Sequence, residues 1–168
     1  MSKTLILVRH AKSDWSIPGQ KDFDRSLNER GHRDAPRMAQ LLLEKQILID
    51  AVITSTATRA KLTAEYFNEQ LFKGQKELIE NENLYEASAR VWMNEVCALS
   101  NGLNTVLMVG HNPGISYFAE YLTKSELGEI PTCAIVGISF EIESWSEVSG
   151  ATGKLLFYDY PKNNPIAT

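Results

Sequence analysis

Three short apolar runs, each ending in a polar cluster, constrain this chain more than any other feature. Residues 5–8 run into Arg9 and His10. Residues 50–55, "DAVITS", end at Thr54 and Ser55. Residues 105–109 end in Gly110, His111 and Asn112. Strand side chains alternate between faces, so a continuous apolar run marks a strand covered on both sides. Between the runs lie segments with helical spacing. Ala35, Met38, Ala39, Leu42 and Leu43 share one face of "LNERGHRDAPRMAQLLLEKQ", and Ala60, Leu62, Ala64 and Phe67 are apolar positions of "TATRAKLTAEYFNEQLF". Pro36 lacks a backbone donor, which predicts a place in the first turn or a kink. "ARVWMNEVCALS" reads as a third helix, and a fourth starts near Pro113 and runs through Leu122.

Residues 78–85 give a weaker strand followed by a loop. Residues 134–142 and 154–158 read as two strands with no helix between them, joined by a loop containing Gly150 and Gly153. Strands alternating with helices predict an α/β fold: a three-layer sandwich with a mostly parallel central sheet, helices on both faces and an antiparallel edge. The 168 residues are enough for one core, and no repeat, low-complexity tract or linker divides them. A single domain over residues 1–168 is expected.

The net charge of −4 gives no chain-wide positive field, so neither nucleic acid nor a membrane surface is an expected partner. Any bound anion has to be held by a few local cations. Cys97 and Cys133 are distant and form no C-x-x-C pair, which favours two buried thiols in a reducing cytosol over a disulfide. The N-terminal apolar run holds four residues, too short for a signal peptide or a membrane span, so a cytoplasmic protein is expected. No heptad or long apolar edge stands out, which points to a monomer.

In parallel sheets, ligands bind beyond the carboxyl ends of the strands. Arg9, His10, His111 and Asn112 occupy such ends, and Arg59 lies one turn into the helix after the second strand. Two guanidiniums offer planar donor forks matched to phosphate oxygens, and helices starting near Thr56 and Pro113 add backbone donors. Of two imidazoles, one can attack phosphorus as a neutral base and the other can donate to the charge that develops on the phosphoryl oxygens. A neutral imidazole beside a charged one predicts a bell-shaped pH profile. Singly these motifs say little: an Arg-His pair is most often a surface pair, "GHNPG" can be a simple turn, and His32 lies in a charged helix start where exposure is the expectation. Their joint placement at strand ends is what carries weight. A zinc site of His10, His32 and His111 is the weaker reading, because arginines beside a cation repel it.

Taken together, "LVRHAKSDW", "DRSLNERGHRDA", "VITSTATRAKLTAEYF" and "VLMVGHNPGIS" resemble the histidine phosphatase superfamily, which includes the phosphoglycerate mutases. The resemblance covers residues 4–140 and looks most like its SixA-type phosphohistidine phosphatase branch. The family's opening Arg-His-Gly stands here as Arg9-His10-Ala11, so the loop there should not need positive φ. The resemblance implies that His10 is a nucleophile that becomes phosphorylated. It also implies that Arg9 and Arg59 clamp the phosphoryl group, and that His111 bonds it and is charged in the transition state. No metal or cofactor is implied.

Many family members place an acid after the second helix; Glu86 fits that role, with Glu80 and Glu82 nearby. Ser13 and Asn112 are further candidates for substrate contact. Ser13 and Trp15 match a mutase-type pattern, with Trp15 either lining the entrance or, the stronger expectation, anchoring a loop on the core. Asp24 and Arg25 either shape the pocket mouth or leave Asp24 paired with Arg25 or Arg30. The expected activity is a metal-independent phosphatase acting on phosphohistidine of a signalling protein. The alternatives are a phosphatase or mutase acting on a small phosphoester, and a non-catalytic module that binds phosphorylated partners.

Overall fold

The structure, a computed structural model, describes residues 2–163; the ends of the expected 1–168 domain lie outside the described residues. In chain order the elements are β1 (Lys3–Arg9), α1 (Glu29–Glu44), β2 (Ala51–Thr54), α2 (Thr58–Phe72), β3 (Leu78–Glu80), α3 (Ala89–Cys97), β4 (Thr105–Gly110), α4 (Gly114–Thr123), β5 (Ile135–Phe140) and β6 (Gly153–Asp159). The six strands form one sheet in the order β3-β2-β4-β1-β5-β6. Strands β1, β4, β2 and β3 run parallel to their neighbours; β5 pairs antiparallel with β1, and β6 with β5. This is the mostly parallel sheet with an antiparallel edge that the sequence predicts.

The alternation in β1 builds both faces. Leu5 and Leu7 enter a cluster with Trp92, Val96, Phe118 and Leu122, from α3 and α4. Ile6 and Val8 enter the opposite cluster with Ala35, Met38, Leu42, Ala60 and Phe67, from α1 and α2. All four β1 side chains are fully buried, each contributing about 1.5–3 kcal/mol of transfer free energy. The strand can meet water on neither side, which is why its sequence is a run rather than an alternation.

α1 starts where Asn28 accepts a side-chain cap bond from the Gly31 N–H at 2.9 Å. Pro36 lies inside α1, about two turns from its start, so the first-turn placement does not hold; the carbonyl of His32 loses the donor that would close that turn. Pro113 caps α4 rather than opening it. At the far end of the sheet Lys3 is buried, and its ammonium donates to the carbonyls of Asn101 (2.7 Å) and Leu103 (3.0 Å) and to Asn104 Oδ1 (2.9 Å). Three acceptors offset the desolvation of that charge and pin the start of β1. Cys97 and Cys133 are both free thiols; Cys133 is buried and Cys97 half-buried. No helix among the described residues is long and apolar enough to cross a membrane.

Candidate active site

Backbone pairing continues past the strand ends and sets the site. Arg9 pairs with Gly110 in the β1–β4 ladder, the His10 N–H donates to the Gly110 carbonyl at 3.0 Å, and the Ser55 N–H donates to Val109 at 3.0 Å. His10 and His111 therefore emerge side by side, with ring centroids 5.0 Å apart. Arg59, in the first turn of α2, reaches across so that its Nε donates to His10 Nε2 at 3.4 Å. Arg9, His10, Ser13, Arg59, Glu86, His111 and Asn112, all singled out from the sequence, line one cavity of about 390 Å³. Apart from Arg59, no residue of the first turns of α2 or α4 lines it, so loop side chains, rather than helix-start amides, form its walls.

The hydrogen bonding of His10 fixes its chemistry. Nδ1 lies 2.8 Å from the Ala11 carbonyl, which can only accept, so Nδ1 carries the proton and Nε2 keeps its lone pair. Burial holds the His10 pKa well below its ordinary value, and the nearby His111, Arg59 and Arg9 add to the effect. The ring is thus neutral at pH 7, as a nucleophile must be. Ala11 has no positive φ and its N–H donates to Thr63 Oγ1 at 2.9 Å, so the methyl replacing the family's glycine is accommodated.

His111 Nε2 bonds Ser55 Oγ at 2.7 Å, and its Nδ1 is buried without a protein partner. Burial, helped by the Arg59 charge, pushes its pKa down to about 3. A charged His111 is thus not a property of the free site; among the guanidiniums of Arg9, Arg25 and Arg59 a further cation is unfavourable. Arg9 Nη1 donates to the Ile130 carbonyl at 2.8 Å, while its Nε is also buried and unpartnered.

Arg25, expected at the pocket mouth, lines the cavity, but Asp22 and Tyr85, which join it in a second layer, were not singled out from the sequence. Asp22 Oδ1 accepts from Arg25 Nη2 (2.7 Å) and Nε (3.2 Å). Asp22 Oδ2 accepts from Arg59 Nη2 (3.0 Å) and the Tyr85 hydroxyl (2.6 Å), and the Asp22 carbonyl accepts from Arg59 Nη1 (2.7 Å). Partial burial works to raise the Asp22 pKa, but the bonds from Tyr85 and Arg25 and the Arg59 charge overcome it and hold the carboxyl well below its usual range. Asp22 is therefore ionised. Tyr85 is pushed up to about 12 by its own burial and by Asp22, so its phenol stays protonated and donates.

Several sequence expectations change here. Asp24 pairs with neither Arg25 nor Arg30: Arg25 takes Asp22, and Arg30 takes Asp34 at 3.5 Å. Trp15 is not packed on the core; it is 72 % exposed at the cavity mouth, with the Arg25 guanidinium 3.5 Å from its ring centroid. His32 is held outside the cavity by the Tyr66 hydroxyl at 2.7 Å, so the three-histidine zinc cluster does not assemble. Among the described residues no group of His, Cys, Asp or Glu is arranged to hold a metal ion. Of the three candidate acids only Glu86 lines the cavity, and Glu80 pairs instead with Lys61 at 3.6 Å. The Asn112 amide is engaged at both ends, donating to the Ile130 carbonyl at 3.0 Å and accepting from Ser116 Oγ at 2.5 Å.

The glycines of "GHNPG" permit close approach. A Cβ on Gly110 would overlap the Trp92 ring, and one on Gly114 would overlap the Ala87 carbonyl oxygen, which belongs to the loop carrying Tyr85 and Glu86. Gly114→Ala is expected to destabilise the fold by roughly 1–3 kcal/mol, read as a lower denaturant midpoint at unchanged m-value. An unchanged midpoint would show that this loop yields freely.

Parallel-strand ends, a cluster of guanidiniums and an imidazole whose unprotonated nitrogen faces them define a cationic pocket suited to an anion. Residues 5–96 match the model of the histidine phosphatase superfamily (branch 1), and the chain belongs to that superfamily. A 2,3-bisphosphoglycerate-dependent phosphoglycerate mutase of Bartonella tribocorum is 36 % identical over 90 residues, which is 51 % of this chain but only 43 % of the mutase. An uncharacterized chloroplastic protein of Arabidopsis thaliana is 27 % identical over 161 residues, 91 % of this chain and 73 % of that protein. A solved Agrobacterium tumefaciens structure bearing the name phosphohistidine phosphatase SixA superposes with a TM-score of 0.81 at 25 % identity, covering 95 % of this chain and 98 % of the other.

Proposed function

We propose that this chain is a single-domain, monomeric, cytoplasmic phosphatase that works without metal through a phosphohistidine on His10, and that its substrate is phosphohistidine on a signalling protein. The observation that carries this reading is the His10 ring itself: Nδ1 is tied to the Ala11 carbonyl, and Nε2, unprotonated, faces the guanidiniums with a single long contact of 3.4 Å from Arg59 Nε. A pocket that only binds phosphate has no use for such a nitrogen. Arg9 and Arg59 clamp the phosphoryl oxygens. Burial first, and the arginines second, keep His111 neutral; an arriving dianion opposes both by bringing negative charge beside the ring, so His111 takes up a proton with substrate and donates to the oxygens as charge builds. Ser13 and Asn112 hold the walls, and Glu86 is the candidate proton donor for leaving groups that need one. Water then attacks the phosphoenzyme and releases phosphate. Two free thiols fit a reducing compartment.

A mutase has to shield its phosphoenzyme from water, whereas here the connection between α2 and α3 contains only the short β3 and one 3₁₀ turn, and Trp15 stands exposed at the mouth. Hydrolysis is therefore the favoured outcome, and an open mouth suits a phosphoprotein better than a small phosphoester. The test is incubation with a phosphohistidine peptide or with p-nitrophenyl phosphate in the presence of EDTA, followed by alkaline trapping and mass spectrometry. Phosphate release with label on His10 is expected. Label on another residue, or activity that EDTA removes, would overturn the reading.

A further inference from the structure

The mechanism above leaves Asp22 without a task. An anion at the rim of a phosphate pocket repels phosphate, and this one is the sole carboxylate of the cavity wall that is bonded to the arginines. We propose that Asp22 is a specificity-determining residue whose carboxylate receives the distal ring N–H of a phosphohistidine leaving group, favouring P–N over P–O substrates. This assignment rests on the phosphatase reading and deepens it.

The carboxylate is rigidly placed. Arg25 holds Oδ1 by two bonds, and Arg59 holds both Oδ2 and the main-chain carbonyl. Because Arg59 also touches His10 Nε2, consecutive hydrogen bonds link the nucleophile, the clamp and the carboxylate. The Asp22 side chain is still 46 % exposed, whereas those of Arg59 and Arg25 are buried. It therefore sits where the cavity opens, on the side from which a leaving group must depart if His10 attacks from the floor. The Tyr85 hydroxyl is its replaceable partner: neutral, on a half-buried side chain, and making one bond to Oδ2. A ring N–H can take that place and form a charge-assisted bond that a phenol cannot match.

The step balances. The distal nitrogen of the substrate ring takes a proton from water and donates it in a hydrogen bond to Asp22. The His10 Nε2 lone pair forms a bond to phosphorus. The P–N bond to the substrate ring breaks, its electron pair stays on that ring nitrogen, and the ring leaves as neutral imidazole with its distal N–H intact. Water then attacks phosphorus, the P–N bond pair returns to Nε2, inorganic phosphate departs, and the proton that the attacking water gives up returns to solvent, replacing the one the substrate ring took. An ester offers no ring N–H, and its leaving oxygen builds negative charge that Asp22 opposes.

The test compares kcat/KM for a phosphohistidine peptide with kcat/KM for p-nitrophenyl phosphate in wild type, Asp22→Asn and Tyr85→Phe, with thermal melts of each. Asp22→Asn is expected to lower the peptide-to-ester ratio at least tenfold, whatever it does to each rate through Arg59. Tyr85→Phe removes the competing hydroxyl and keeps the charge, so the ratio should hold or rise. A ratio within threefold of wild type in Asp22→Asn would make Asp22 a scaffold for Arg59 only and overturn the proposal. If Asp22→Asn does not fold, a threefold or greater fall of the ratio in Tyr85→Phe overturns it and a held or raised ratio supports it. Wild-type hydrolysis of the ester but not the peptide would overturn the proposal while leaving the phosphatase intact; turnover of neither would overturn the phosphatase reading itself.

Discussion

His10→Ala should reduce turnover of p-nitrophenyl phosphate by roughly 10⁴-fold or more, the scale on which covalent catalysts lose activity when the nucleophile is removed. No other imidazole in the cavity stands in the place of His10. The other imidazole, His111, is engaged with Ser55 through Nε2, and the Cys133 thiol is fully buried with its pKa raised by that burial. The variant should still bind inorganic phosphate or vanadate, because Arg9, Arg25 and Arg59 are untouched, and the removal of a neutral ring leaves the charge of the pocket as it was. The measurement pairs steady-state kinetics with titration of the anion. Residual turnover within tenfold of wild type would show that His10 does not attack phosphorus. Loss of turnover together with loss of anion binding would show that the ring organises the arginines instead.

A second large effect concerns stability in acid. His10 and His111 both have folded-state pKa values below the ordinary 6.5, His111 at about 3. Below pH 6.5 the unfolded chain binds protons at these positions that the folded chain refuses, so folding stability is fully present above about 6.5 and is lost as pH falls. The slope is roughly 1.4 kcal/mol per pH unit for each histidine, continuing for His111 toward pH 3. Against a total stability of about 5–15 kcal/mol this is a large fraction. Asp22, whose pKa is also depressed, adds stability of the same sign that is lost only below the ordinary carboxyl range. Melting temperature should therefore fall steadily between pH 6.5 and 4.5, and saturating phosphate should recover much of the loss by relieving the field on His111. The double variant His10→Asn, His111→Asn should flatten the curve. A wild-type melting temperature constant over that interval would contradict the depressed histidines.

Both faces of the sheet could be read from the chain because β1, β2 and β4 are buried on both sides, which leaves continuous apolar runs. The pocket floor was legible for a related reason: Arg9, His10, His111 and Asn112 directly follow such runs, so their positions derive from strand register. The rim was not. Asp22 lies in a polar loop where neither periodicity nor capping separates it from Asp24, and only the three-dimensional return of that loop to Arg59 makes the distinction. Tyr85 follows a single 3₁₀ turn, a local geometry with no sequence period. Of the two expectations for Trp15, the entrance and the stronger one of a core anchor, the weaker matches the structure, because a stacked guanidinium stabilises the ring in the open. The low proton affinity of His111 before substrate arrives was not legible either, because it depends on burial and on how closely Arg59 approaches in three dimensions.

His10 and His111 descend directly from neighbouring rungs of the sheet, whereas Asp22, Trp15 and Tyr85 arrive on separate excursions of the chain. Strand register thus sets where the two rings stand, while loops set what stands at the mouth, and a change in the loop of Asp22 reaches the His10 ring only by way of Arg59.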